Sequence, residues 1–247
     1  MIVGEATAGS PAARPGGAVG RRPLPFIWIC DCSGSMYGEK IESLNFAIKN
    51  ALPAMRKTAE NAPGTQVLVQ TLSFANYVRW EQAVATPVET LTWTDLKIEG
   101  APLSSGTRIG EALSWVATIL PKPTATFFPP VLALVTDGMA TDDVEKGLQS
   151  LMAMPAGAKA IRVAIAIGED ADSNALRRFI GNDEIKPFRA RNAPDLVRLI
   201  RAVSTAPLRM SSTPLLARSG TGARRDLRNP VTTETSVAFA DLSNKVW

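Results

Sequence analysis

The residues with the clearest chemical potential lie together early in the chain, in the segment Asp31-Cys32-Ser33-Gly34-Ser35. One carboxylate and two hydroxyls alternate along a short turn, directly after an apolar run and before a helical pattern. Oxygen donors at this spacing suit a small, hard divalent cation such as Mg²⁺. The turn therefore predicts a cation site.

Two further polar segments could complete such a site. Ser105-Gly106-Thr107 precedes a helical pattern, and Thr136-Asp137-Gly138 follows the apolar run at 131–135. Each motif alone is also typical of a helix cap or a tight turn. Because all three border predicted strand or helix ends, where open α/β sheets bind ligands, together they favour a metal site. Asp142 and Asp143 could also approach a cation, but we expect both to cap the helix that follows them.

The composition of the 247 residues excludes several kinds of catalytic site. The chain has no histidine, which rules out histidine general bases, histidine triads and histidine-ligated zinc. Cys30 and Cys32 form a C-x-C pair, which is neither the C-x-x-C redox motif nor half of a zinc cluster, and we expect them to be reduced packing residues. No segment resembles a signal peptide and no apolar run could span a bilayer, so we expect a soluble, cytoplasmic protein.

The hydrophobic pattern alternates between strands and helices along the central part of the chain. Strands are predicted at 24–30, 65–74, 77–80, 131–135, 161–167 and 186–189, and helices at 41–60, 107–120, 142–154, 173–180 and 194–203, with 83–103 irregular. Strands that alternate with helices imply a doubly wound, mostly parallel α/β sheet with helices on both faces. The short strand at 77–80 would form an antiparallel hairpin at one edge.

Composition also predicts the domain organisation. Residues 1–22 are rich in Gly, Ala and Pro and indicate a flexible leader, 23–206 form the domain, and 207–247 form a basic tail rich in Ser and Thr. The apolar residues near the end of the tail could dock on the domain or on a partner, or they could belong to a frayed end. Its hydroxyl residues, such as Ser211 and Thr232, could accept phosphate.

Three segments resemble the von Willebrand factor A domain family and its metal-ion-dependent adhesion site (MIDAS). These are LPFIWICDCSGSMYGEKIESLN, SSGTRIGEAL and LALVTDGMATDD. The family pattern of D-x-S-x-S, a distant Thr and a distant Asp matches Asp31, Ser33, Ser35, Thr107 and Asp137, in the expected chain order. The resemblance covers residues 24–206. Within the family, the three segments are most similar to the TerY-like bacterial proteins of tellurium-resistance gene clusters.

The resemblance implies a function in recognition. In the family, the residues equivalent to Ser33, Ser35 and Thr107 bind the metal directly, and those equivalent to Asp31 and Asp137 often act through waters. One coordination position stays open for a Glu or Asp of a partner protein. The expected metal is Mg²⁺, with Mn²⁺ or Ca²⁺ as alternatives. The expected protein is a non-enzymatic interaction module, with a kinase or phosphatase of the same gene cluster as a candidate partner, in a tellurium-resistance, stress-response or phage-defence complex.

Two other functions have less support from the same sequence. Metal-assisted hydrolysis needs a base, and the sequence offers none beyond Asp31 and Asp137 and no phosphate-binding loop of the G-x-x-x-x-G-K-[ST] type. Nucleic-acid binding would use the basic tails and the arginines at 177, 178, 189, 191, 198 and 201. The net charge of +4 is modest, and aromatic residues do not alternate with these arginines.

Overall fold

The computed structural model describes residues 20–98, 106–121 and 127–211. Nearly all of the predicted leader and tail, and Ser105 of the second polar segment, lie outside these ranges. The domain boundaries that the sequence suggests therefore stay predictions.

Six strands form one sheet in the order β3-β2-β1-β4-β5-β6. The strands are β1 (Arg22–Asp31), β2 (Thr65–Phe74), β3 (Val78–Pro87), β4 (Val131–Thr136), β5 (Ile161–Ile167) and β6 (Phe188–Ala190). Only the β2–β3 pair among these strands is antiparallel. The predicted α/β class with an antiparallel edge strand is thus confirmed.

The helices cover both faces of this sheet. They are α1 (Glu39–Glu60), α2 (Ile109–Ile119), α3 (Val144–Ala153), α4 (Pro155–Ala158), α5 (Ser173–Ile180) and α6 (Ala193–Ser211), and a single 3₁₀ turn at Gly34–Met36 precedes α1. Helix α1 packs against α6, and α2 packs against α3. Apolar positions of α1 recur at helical spacing, and Leu44, Ile48 and Met55 are fully buried.

The central strands are almost entirely apolar because both of their faces are covered. All six residues of β4 are buried, as are the last eight of β1. Pro25 lies inside β1, but the pairing of β1 with β4 begins only at Phe26. The proline therefore does not interrupt the ladder between these two strands.

The strand order places a topological switch point between β1 and β4. These strands are neighbours, but the chain continues from β1 to β2 on one side and from β4 to β5 on the other. In such sheets the connections diverge above the carboxyl ends of the two central strands and leave a crevice there. Asp31 and Asp137 mark these two strand ends.

Two elements extend well beyond the ends that the sequence pattern predicts. Strand β3 extends to Pro87, so that residues 83–87 are not irregular, because main-chain pairing with β2 continues to the pair Leu68–Pro87. Helix α6 ends at Ser211 and not at 203. Across the ranges that the structure describes, no helix has the combination of length and hydropathy that crossing a membrane requires.

Candidate metal centre

The five residues predicted as a metal site come together at the switch point. Ser33 Oγ and Ser35 Oγ are 3.0 Å apart, and Ser35 Oγ donates a hydrogen bond of 2.7 Å to Asp137 Oδ1. Asp31 joins this cluster because its Oδ1 accepts a 2.8 Å hydrogen bond from the backbone of Ser33. Thr107 lies close to Gly138 at the end of β4. Their role as metal ligands stays a prediction.

Gly138 locates Thr107 relative to the serines. A Cβ atom added at Gly138 would lie 3.3 Å from Thr107 Oγ1 and 3.7 Å from Ser35 Oγ. The two hydroxyls thus approach the same small volume above the end of β4. A glycine at this position leaves that volume open to another atom.

The turn after β1 presents its two serines differently. Ser33 has an extended backbone and is 3% exposed, whereas Ser35, inside the 3₁₀ turn, is exposed to solvent. Asp31, Thr107 and Asp137 are all buried. The site is therefore closed on its protein side and opens outwards next to Ser35.

Asp31 is held at the base of the site by two neighbouring segments. Its Oδ2 accepts a 2.5 Å hydrogen bond from Thr136 Oγ1, the last residue of β4. Burial raises the pKa of Asp31 to about 6, although the hydrogen bonds from Ser33 and Thr136 oppose this rise by stabilising the carboxylate. Removing Asp31 from water therefore costs free energy that a bound cation could recover.

A second set of hydrogen bonds fixes the loops that carry Thr107 and Asp137. The backbone of Thr107 donates to Thr141 Oγ1 at 2.9 Å, and Thr107 O accepts from the backbone of Thr141 at 3.0 Å. Asp142 accepts from the backbone N–H groups of Gly110 and Glu111, at 3.0 and 2.7 Å. The loop after β4 is thereby joined to the start of α2.

These contacts correct one of the capping predictions. Asp143 does cap the following helix α3, since its side chain accepts from the backbone of Lys146. Asp142 instead caps α2, which lies earlier in the chain, because the two helices are packed together. Sequence spacing alone gives no sign of this long-range cap.

Two further residues of the site were not predicted. Thr136 donates a hydrogen bond to Asp31, and the Lys40 ammonium lies 2.5 Å from Asp137 Oδ2. The side chain of Lys40 is 38% exposed, whereas that of Asp137 is fully buried. Thr136 adjoins a predicted ligand, so its polar side chain at a strand end was an available signal. For Lys40 the only signal was its place in the first turn of α1.

The donor chemistry at this site fits a hard divalent cation. The five side chains offer only oxygen, and the 3.0 Å between Ser33 Oγ and Ser35 Oγ matches the separation of neighbouring ligands of an octahedral Mg²⁺, about 3 Å. The site also attracts positive charge already, since Lys40 binds Asp137. Across the described ranges, no three or more His, Cys, Asp or Glu side chains are grouped so that they could hold a metal ion.

The cysteines next to the site are packing residues, as predicted. Cys30 and Cys32 are buried and form no disulfide. Burial, followed by the nearby Cys32 and Asp31, raises the pKa of the Cys30 thiol well above its ordinary value. A protonated, buried thiol is a poor nucleophile and a poor metal ligand.

Sequence comparison alone does not place the chain. No model of a protein family matches it. No curated protein matches it either.

Several solved structures have a similar fold. A von Willebrand factor type A protein from Catenulispora acidiphila is similar over 76% of this chain, with a TM-score of 0.52 and 18% identity. Proximal thread matrix protein 1 from the mussel byssus, in a form with a zinc-occupied MIDAS motif, is similar over 75%, with a TM-score of 0.52 and 14% identity. The pilus adhesin SpaC from Lactobacillus rhamnosus GG is similar over 77%, with a TM-score of 0.53 and 12% identity.

The matching region is only part of each of these larger proteins, since it spans 42%, 49% and 31% of their respective chains. At such low identities the likeness concerns the fold. Within the described residues, the strand order and the antiparallel edge strand agree with the fold of these structural neighbours. The chain therefore has the fold of a von Willebrand factor A domain.

Proposed function

We propose that this chain is a non-enzymatic, metal-dependent protein-interaction module. Ser33, Ser35 and Thr107 bind the cation, Asp31 and Asp137 support it, and a partner protein supplies a Glu or Asp. The observation that carries the proposal is the convergence of these five residues, from three distant segments, at the switch point of the sheet. The exposure of Ser35 leaves the site accessible to a partner.

The donor set supports Mg²⁺ as the resident ion, with Mn²⁺ or Ca²⁺ as substitutes. Mg²⁺ uses few carboxylates and keeps coordination positions for water or a ligand. When bound, the cation would supply a positive charge that attracts a partner carboxylate. Zinc in the MIDAS motif of the mussel protein supports a divalent ion at a similarly folded site.

The hydrogen bonding of the carboxylates supports recognition over catalysis. Both oxygens of Asp31 accept hydrogen bonds, from Ser33 and Thr136. Both oxygens of Asp137 are also engaged, by Ser35 and Lys40. These hydrogen bonds hold both carboxylates in place and favour support of a cation over proton transfer, for which a base needs an oxygen within reach of the proton that it removes. The absence of histidine from the sequence supports the same conclusion.

Two exposed large side chains follow the site residues closely in the sequence and suggest a second feature of the partner. Tyr37 is 72% exposed and lies two residues after Ser35, and Met139 is 66% exposed and lies two residues after Asp137. Exposed aromatic and Met side chains are common in binding surfaces. The partner segment would therefore carry an apolar residue beside its acidic one.

The cellular role follows from the sequence resemblance alone. A TerY-like protein would act in a cytoplasmic complex of a tellurium-resistance, stress-response or phage-defence gene cluster, with a kinase or phosphatase as partner. Binding to nucleic acid is less consistent with the ion pairs of Arg189 with Glu169 and Arg198 with Asp195, which neutralise part of the basic surface.

Metal binding is tested by isothermal titration of the full chain with Mg²⁺ and Mn²⁺. Loss of an outer-shell partner typically lowers metal affinity by about 10- to 100-fold. Because Ser33 and Ser35 are proposed as direct ligands, we expect a larger fall in the Ser33→Ala, Ser35→Ala double variant. The control is Ser114→Ala, Ser150→Ala, which removes two hydroxyls that bond helix carbonyls away from the site. Unchanged affinity in the site variant would contradict the proposed ligands.

Partner recognition is tested by pull-down, with this chain as bait and any kinase or phosphatase of the same gene cluster as the candidate partner. We expect capture by the wild type in Mg²⁺, and loss of capture in EDTA or with Asp31→Ala. Capture that persists in EDTA would show that the interaction does not use the metal site.

A further inference from the structure

Lys40 is placed at the metal site by the turn that starts α1. Gly38 has a φ of +80°, a conformation that favours glycine, and helix α1 begins at the next residue. The first turn of the helix therefore lies close to the end of β1. From there the ammonium of Lys40 reaches Asp137 Oδ2, although the Lys40 side chain as a whole is 38% exposed.

This ion pair compensates a buried charge. The side chain of Asp137 is fully buried, and an isolated carboxylate would be costly there. Lys40 supplies the compensating charge on Oδ2, and the Ser35 hydroxyl donates to Oδ1. The negative charge of Asp137 is thus balanced by a cation that belongs to the chain.

The positive charge of Lys40 must also repel a divalent cation that binds at this site. Asp31 and Asp137 together balance one divalent ion, so the protonated Lys40 leaves an excess positive charge at a loaded site. The exposed Glu39 and Glu42 also lie in the first turn of α1, but neither forms the contact that Lys40 makes with Asp137. A metal that engages Asp137 must therefore displace the ammonium or bind beside it.

We propose that Lys40 is an inbuilt competing cation that lowers the affinity of this site for divalent metal. It keeps the site internally neutralised until the metal concentration is high enough to displace it. This inference rests on the proposed function, because it requires the cluster around Asp137 to bind a metal. It identifies Lys40 as a residue that sets metal affinity without being a ligand.

The test is the affinity of the full chain for Mn²⁺ alone, measured by electron paramagnetic resonance. We expect Lys40→Met to bind Mn²⁺ about tenfold more tightly than the wild type, since a full charge next to the ion is removed and solvent screens part of its effect. Lys40→Arg keeps the charge and should stay within about twofold of the wild type. Lys49→Met is the matched control, because it removes a lysine of the same helix that pairs with the exposed Asp95.

Thermal unfolding gives an independent readout. In EDTA, Lys40→Met should melt at a lower temperature than the wild type, because Asp137 stays buried without its cation. Saturating Mn²⁺ should then raise the melting temperature more in Lys40→Met than in the wild type.

Each outcome has a defined meaning. Equal Mn²⁺ affinity in Lys40→Met and wild type would overturn the inference and leave the proposed metal site intact. Tighter binding in Lys40→Arg as well would show that side-chain shape, and not charge, controls affinity, which also overturns it. Failure of both wild type and Lys40→Met to bind Mn²⁺ would overturn the metal site itself and the inference with it.

Discussion

At the scale of single residues, Asp31 combines a cost in stability with a role at the proposed site. It is completely buried, and its pKa is raised from 3.8 to about 6 mainly by that burial. Because the folded protein holds this proton more tightly than the unfolded chain does, ionisation of Asp31 favours unfolding. The cost at neutral pH is on the order of 3 kcal/mol.

This shift predicts the pH dependence of the metal-free protein. In EDTA, the contribution of Asp31 to the free energy of unfolding should decrease as the pH rises from about 4 to about 6, between the unfolded and folded pKa values. Asp31→Asn should remove this dependence and be more stable than wild type at pH 7, while it loses metal affinity. Urea denaturation at a series of pH values measures both proteins. An identical pH profile for the two would contradict the prediction.

The close packing around Gly138 predicts that even a small side chain at this position weakens metal binding. A methyl group there would lie 3.3 Å from Thr107 Oγ1, which is tighter than ordinary contact. The backbone of Gly138 does not have a positive φ, so alanine is tolerated conformationally. We expect Gly138→Ala to lower metal affinity by about 1 kcal/mol, or about fivefold, in a calorimetric titration. Gly64→Ala, where an added Cβ has no neighbour within 4 Å, should leave affinity unchanged.

At the scale of secondary structure, the close packing of α2 against α3 fixes the loop that carries Thr107. A Cβ at Gly147 would lie 2.2 Å from Gly110 O, and one at Gly110 would lie 2.1 Å from Asp143 O. The helices therefore touch through their backbones, in the same region where Asp142 caps α2.

This packing predicts that Gly147→Ala destabilises the protein, although alanine is the better helix former. The added methyl group must separate α2 from α3, and we expect a loss of about 2 kcal/mol or more in the free energy of unfolding. Chemical denaturation measures it, with Ser150→Ala on the same helix as the control. A Gly147→Ala protein as stable as the control would show that the helices can separate at little cost.

The same scale shows what the sequence pattern can and cannot predict. Strands β2 and β5 and helix α5 have the predicted bounds, because their apolar residues recur with clear periodicity. The second half of β3 has no such pattern, since much of this edge strand is exposed and hydrogen bonding to β2 maintains it.

The candidate site divides in the same way. The motif residues could be found from chain order and residue type, because each borders a strand or helix end. The contacts of Lys40 with Asp137 and of Asp142 with α2 depend on tertiary packing, which local patterns do not encode.

At the scale of the whole molecule, the site connects the ends of β1 and β4, the two central strands of the sheet. A metal bound only by the folded protein stabilises it by about 2.7 kcal/mol at a concentration of one hundred times Kd. For a domain of this size we expect Mg²⁺ at that concentration to raise the melting temperature by roughly 5–10 °C relative to EDTA. Differential scanning calorimetry measures the shift, and the Ser33→Ala, Ser35→Ala variant should show none. An equal shift in that variant would place the effect outside this site.

The segments of the site are far apart along the chain, since 105 residues separate Asp31 from Thr136 and 102 separate Ser35 from Asp137. They meet only when β1 pairs with β4, a non-local contact that a folding chain makes at the cost of closing a long loop. We expect the site to form after the folding transition state, and contacts absent from that state affect unfolding and not folding. Bound Mg²⁺ should therefore slow unfolding in stopped-flow experiments and leave the refolding rate unchanged, so that the metal prolongs the lifetime of the native state without guiding its formation.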